Sequence, residues 1–417
     1  MTKIKMFSLS LVAFAIISCG GDTTETNTKT VGKNSNVAPG LESNTSSDSN
    51  GAKDNIFRLN FSDPPTFDPA LVTDTTSASI IVEIFSGLVT LNKELDIIPD
   101  LAESWDISDD GRTYTFNLRD DIKFSNGDKV TANDFKWSIE RAANPDTGSM
   151  NAEVYLGDIV GVTEVIEAGG SLTEVSGLKV IDDKTLEITI DEPKTYFLAK
   201  LTYPTAFVLS EKYVTQQGED WIDQPVGTGP FVMTEYQIGQ TLKLKPNDNY
   251  WGEKAKVDGI IMNLAGGVSM AMYENDEVDI TGVGLADLER VKDPNDPLNK
   301  DLVNVPPQFS LNYIGFNVNM PPFDDVNFRK ALSHAVDKEI IADKIYSGLT
   351  KPAFSIIPPG FPGYSPNIEG LSFDEELAKE YLAKSKYADP ASRPRIIVTI
   401  PGTGGSPGLD TEVISDM

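Results

Sequence analysis

The chain has 417 residues, 40% of them hydrophobic, and its 35 Lys and Arg against 63 Asp and Glu leave a net charge of −28. That is enough apolar side chain for two or more packed lobes, while the negative excess repels phosphate backbones and anionic headgroups and so excludes nucleic acid as a partner. One cysteine and one histidine exclude a disulfide framework and the clustered ligands of a zinc site.

At the N-terminus, Lys3 and Lys5 precede an apolar run from Met6 to Ile17, and Ser18 leads into Cys19. A helix of that length rises about 18 Å, short of the roughly 30 Å hydrocarbon core, so residues 1–19 read as an export signal and not as a membrane span. A small residue before a lone cysteine resembles a bacterial lipoprotein signal, in which Cys19 receives lipid and becomes the mature N-terminus. Residues 20–54 are rich in Gly, Ser, Thr and Asn without helical or strand periodicity, the composition of a disordered tether reaching roughly 30–35 Å.

From Ile56 onward strands alternate with helices. Ile56 to Phe61 alternates as a strand, Asp63-Pro64-Pro65 and Asp68-Pro69 break it, and Ser77 to Phe85 has helical spacing. Trp105 to Ser108 and Thr113 to Leu118 flank Asp109-Asp110-Gly111, a hairpin signal. Thr131, three residues before Asp134, caps a helix with Phe135, Ile139, Ala142 and Ala143 on one face. Further strands are expected at Leu186 to Ile190, Leu242 to Lys245, Ile260 to Leu264, Asn312 to Val318 and Ile396 to Ile400. Helices are expected at Asn327 to Ser347 and, after a Ser372…Glu375 capping box, at Asp374 to Lys386. Mixed α/β architecture follows, with no internal repeat. Gly/Pro-rich points at Gly227-Thr228-Gly229-Pro230, Pro306-Pro307 and Pro358-Pro359-Gly360 mark where the chain changes lobe.

Catalytic signatures are scarce. His334 sits beside the apolar stripe Phe328, Ala331, Leu332, Ala335 and Val336, as a structural helix residue would. Gly404-Gly405-Ser406-Pro407-Gly408 spells a nucleophile elbow, but Pro407 has no N–H for an oxyanion hole and the only histidine precedes the serine. Gly282-x-Gly284 lacks the third glycine of a dinucleotide site, and Asp293-Pro294-Asn295-Asp296-Pro297 lacks the glycine of a calcium loop and reads as a solvated turn. No cofactor and no metal are expected.

Several runs together are similar to the signature block of family 5 extracellular solute-binding proteins, the oligopeptide-, dipeptide- and nickel-type receptors of ABC importers. They are Pro99-Asp100-Leu101-Ala102-Glu103-Ser104-Trp105, Ser108 to Gly111 with Thr113 to Phe116, Lys123 to Gly127 and Val130 to Asp134. Val226 to Phe231, Asn249 to Gly252, Tyr313 to Asn317 and Pro322 to Leu332 follow in order.

The resemblance implies an α/β, two-lobed type II periplasmic-binding-protein-like fold with an inserted subdomain. On it, 55–91 and 205–307 form the first lobe, 92–204 the inserted subdomain and 308–417 the second lobe. Relatives in this family continue well past this point, so the second lobe is expected to be incomplete, and the aspartate that pairs with a peptide amine is expected beyond Met417. The implied activity is binding without bond chemistry: capture of a peptide or similar small polar solute by a monomer, delivery to an ABC permease complex, and attachment to the membrane through lipid on Cys19. The outer face of the cytoplasmic membrane, in a periplasm or at a cell surface, is the implied location. Thr73-Asp74-Thr75 matches the edge that holds ligand main chain, with Phe309 and Tyr313 as further pocket residues. A secreted hydrolase of peptides or glycans is the other class that export and acidity allow.

Overall fold

The computed structural model describes residues 55–305, 310–359, 361, 363–368, 370–397 and 413–414. These fall into one compact unit that ends at Gly282 and a second that begins at Val283, ahead of the crossover expected at 308.

The first unit runs β1 (Ile56–Asn60), α1 (Thr75–Ile84), β2 (Val89–Leu91), β3 (Ile97–Pro99), β4 (Ala102–Ile107), β5 (Thr113–Leu118), α2 (Ala132–Ala143), α3 (Ala152–Leu156), α4 (Val162–Glu167), β6 (Leu178–Asp182), β7 (Thr185–Thr189), α5 (Phe197–Lys200), α6 (Glu211–Gln217), β8 (Phe231–Gln237), β9 (Thr241–Pro246), β10 (Gly259–Asn263) and α7 (Ser269–Glu274). It holds two four-stranded sheets and a small β2–β3 hairpin, and each large sheet has its own core.

In the first sheet, ordered β1-β10-β9-β8, β1 runs parallel to β10 and the other neighbours are antiparallel. Period-2 alternation puts Met233, Leu242, Leu244, Ile260 and Met262 on one buried face, where they pack with Ile80, Ile81 and Ile84 of α1. The second sheet, β4-β5-β7-β6, is antiparallel throughout. Phe116 pairs with Leu186, and Tyr114 with Ile188. Over them lie Phe135, Ile139, Ala142 and Ala143 of α2, and the larger of these side chains each contribute about 1.5–3 kcal/mol by burial.

Local signals explain both hairpin and helix. Gly111 takes φ +70° in the β4–β5 turn, where Ser108 N–H donates to Thr113 O at 2.9 Å. Thr131 N–H donates to the Asp134 carboxylate at 2.9 Å, closing the capping box of α2. The loop before β8 passes hard against the end of α1. A Cβ on Gly227 would lie 2.0 Å from the Ile84 carbonyl oxygen and one on Gly229 2.6 Å from that of Glu83, while Gly229 N–H donates to Ile84 O at 2.8 Å.

The second unit contains α8 (Leu285–Lys292), α9 (Val326–Ala335), the short α10 (Lys338–Ile340) continued by a π turn at Ile341–Ile345, and α11 (Glu375–Lys384). Helices α9 and α11 pack through His334 stacked on Tyr381, 5.6 Å between centroids, and just past the end of α11 Tyr387 lies edge-on to Phe328 at 5.9 Å. Here His334 is buried, its Nδ1 2.6 Å from the Ser372 carbonyl oxygen.

Four expectations change. Asn312 to Val318 forms no strand, because among the described residues no neighbour supplies the ladder hydrogen bonds, and Tyr313 is 77% exposed. Ile396 and Ile397 are likewise outside any strand, and residues 398–400 lie outside the described residues. The long helix over Asn327 to Ser347 is broken at Val336, since the Asp337 carboxylate accepts from the Glu339 and Ile340 amides and starts a new helix. At α11 the cap is Asp374, accepting from Leu377 N–H at 2.9 Å, in place of Ser372. The Asp293 to Pro297 segment is a turn, with Asn295 N–H donating to Asp293 Oδ1 at 2.9 Å.

Candidate functional site

The candidate site is the segment that leaves the core at Val72 and enters α1. Val72 is fully buried. Thr73 is exposed, Asp74 half-buried with extended backbone at φ −132°, ψ 158°, and Thr75 is the exposed first residue of the helix. Asp74 caps α1, its Oδ1 accepting from Ser77 N–H at 2.8 Å. Among the described residues, nothing pairs with the Thr73 amide or carbonyl or with the Asp74 and Thr75 amides. An extended stretch with open N–H and C=O groups, ending in threonine hydroxyls, can hydrogen-bond another main chain in the manner of an added strand.

Side chains from elsewhere in the same unit gather behind this edge. Asn151 Nδ2 donates to the Val72 carbonyl at 2.6 Å and to the Tyr203 oxygen at 3.2 Å, and the Tyr203 hydroxyl donates to the same carbonyl at 3.3 Å. Tyr155 stacks on Tyr203 with centroids 3.7 Å apart. Burial first, then Tyr155 and the Asp74 charge, raises the Tyr203 hydroxyl above the usual phenol range, and burial does the same to Tyr155. Both therefore stay protonated in neutral solution. Sequence reasoning missed these three residues, because none lies in a recognisable motif and each is far along the chain from the group it serves: Asn151 and Tyr203 lie 79 and 131 positions from Val72, and Tyr155 reaches Tyr203 only through the fold.

A second polar cluster lies at the other end of α1. Burial raises the Glu83 carboxyl to about 7 and the Asp100 carboxyl to about 7, the latter opposed by the Gly87 amide, Trp251, Arg119 and Ser86. Tyr250 is pushed to about 12 by burial and by the charges of Asp100 and Glu83. Arg119 donates from Nε to the Asp100 carbonyl at 2.6 Å, and its guanidinium lies 3.8 Å from the Trp251 ring centroid. A surface groove of about 520 Å³ between α4 and the following loop, lined by Gly161, Glu164, Leu172, Glu174 and Ser176, is open and mixed in character.

Thr73, Asp74 and Thr75 thus stand together in the first unit. Tyr313 belongs to the second unit, where it is exposed and outside any core. Phe309, Cys19 and the serine motif at 404–408 lie outside the described residues.

The α/β scaffold agrees with the similarity to known proteins. Residues 96–412 match the family described as bacterial extracellular solute-binding proteins, family 5 middle, and the chain belongs to that family. It is 32% identical to the dipeptide-binding protein DppE of Bacillus subtilis over 79% of its length, covering 60% of that relative. It is also 32% identical to the oligopeptide-binding protein OppA of the same species, over 82% of this chain and 64% of that one. The chain therefore spans about three-fifths of the length of these relatives. Among solved structures, the periplasmic oligopeptide-binding protein OppAIV of Borrelia burgdorferi is similar with a TM-score of 0.68 at 31% identity, over 80% of this chain and 67% of that one.

Proposed function

We propose that this chain is the substrate-binding lipoprotein of an ABC importer, capturing di- and oligopeptides outside the cytoplasmic membrane and handing them intact to a permease. The observation that carries the reading is the open main-chain edge at Thr73 to Thr75, held between a buried residue and a helix cap. Every peptide offers the same N–H and C=O groups to such an edge, which suits a receptor tolerant of sequence. The names of the relatives support the same ligand class.

On this reading residues 55–91 and 205–307 build one lobe, 92–204 are inserted into it, residues from 308 onward contribute the second lobe, and the protein works as a monomer that closes by a hinge over its cargo. The two separate cores of the first unit support the insertion. Phe309 and Tyr313 are assigned to the wall contributed after the crossover.

Native mass spectrometry of the full chain, purified without added ligand and then denatured, is expected to release intact short peptides. Steady conversion of an added peptide mixture into fragments would overturn the receptor in favour of a hydrolase. Cys19→Ser is expected to move the protein from the membrane fraction into the soluble one; continued sedimentation with membranes removes the lipid anchor from the account.

A further inference from the structure

The Thr73 edge is fixed from behind by a closed ring of hydrogen bonds. Val72 is anchored in the core, and its carbonyl uses both lone pairs, one for Asn151 and one for the Tyr203 hydroxyl, while Asn151 also donates to that hydroxyl oxygen. Tyr155 lies flat against Tyr203, its ring plane within 3°, and prevents the phenol from swinging away. One residue past Thr73, Asp74 is pinned through its cap to Ser77.

We propose that Asn151 and Tyr203, backed by Tyr155, are positioning residues that aim the Thr73 main-chain groups at a peptide ligand; this rests on the peptide-binding reading above. The Val72 carbonyl and the Thr73 N–H belong to one planar trans peptide unit, so holding the carbonyl turns the N–H to the opposite side. Thr73 is then suspended between two fixed neighbours with its donor and acceptor already oriented. An edge that had to be ordered by the ligand would lose about tenfold in affinity for each residue ordered. Neither Asn151 nor Tyr203 has to touch the ligand to have this effect. Because burial and nearby charge keep the Tyr203 proton in place, the ring of bonds persists through neutral pH.

The test uses the full chain, Tyr203→Phe and Asn151→Ala, titrated calorimetrically with alanine di- to pentapeptides and with the same peptides carrying an ester in place of each amide in turn. An ester removes a donor and weakens an acceptor without adding bulk. In the unsubstituted protein one ester position is expected to cost about tenfold. In each variant the all-amide peptide is expected to bind about tenfold more weakly, and that ester is expected to cost less than about twofold, because the aimed partner is gone. Tyr203→Phe keeps the stacked ring and is expected to melt with the unsubstituted chain. Unchanged affinity in both variants, or equal losses for amide and ester ligands, overturns the positioning role and leaves the peptide reading intact. An unsubstituted chain that binds none of the series overturns the peptide reading itself.

Discussion

Asp68→Ala is expected to destabilise the protein by about 3–5 kcal/mol, the range for removing one partner of a buried ion pair. Asp68 is almost fully buried and holds Arg141 with two hydrogen bonds, 3.1 and 2.6 Å, while its Oδ1 also accepts from Ala70 N–H at 2.9 Å. Arg141 extends from α2 and lies 5.5 Å from the Trp221 ring centroid. The pair therefore ties the core over β4–β7 to the core over β8–β10, and removing the carboxylate strands a guanidinium in low dielectric. The cost of the charge pair itself is a different quantity. A double replacement, Asp68→Leu with Arg141→Met, is expected to recover most of the loss, since apolar groups of similar volume need no desolvation. Denaturant melts of the three proteins check this, and a loss under about 1 kcal/mol for Asp68→Ala would show that the pair is solvated.

Glu83→Gln is expected to make the protein more stable at pH 8 than the unsubstituted chain, by about 3–4 kcal/mol, and to leave it nearly unchanged at pH 4. The sign follows from burial. Unfolded, the carboxyl titrates near 4; folded, it is raised to about 7, because the charged form is cut off from water. Between those values the folded state holds the extra proton, so this group's contribution falls as pH rises from about 4 to about 7 and is flat above. Asp100, raised to about 7 as well, adds a loss of the same sign. The glutamine cannot ionise, so the difference between the two stability profiles isolates Glu83. Parallel profiles from pH 4 to 8 would mean that Glu83 is solvated in the folded protein.

Elements written in local chemistry were legible in the sequence. Asp109-Asp110-Gly111 specifies a turn through a glycine at positive φ, and Thr131 with Asp134 specifies a helix start through two reciprocal bonds; both are complete within a few residues. Strand membership is different, because a ladder needs a partner that the segment does not encode. Asn312 to Val318 alternates as well as Leu242 to Lys245 does, yet only the latter finds neighbours, in β8 and β10. Four strands went unread, two of them, Val89–Leu91 and Ile97–Pro99, because three residues are too short to show a period. Leu178–Asp182 is a charged edge strand, and Phe231–Gln237 follows a Gly/Pro-rich turn that masks its start. At the site, resemblance brought Thr73 to Thr75 forward, but Asn151 and Tyr203 reach Val72 across 79 and 131 positions, a distance over which no spacing rule carries information.

Helix α1 joins two regions under opposite mutational constraint. At its last turn the glycines at 227 and 229 leave no room for even one carbon, because the obstruction is main chain and cannot rotate aside. Every substitution there meets the same wall, so that end is frozen by geometry. Ten residues away the exposed Thr73 and Thr75 side chains press on nothing comparable. Sequence can therefore drift at the two threonine side chains on either side of the Asp74 cap, while positions 227 and 229 are held to glycine.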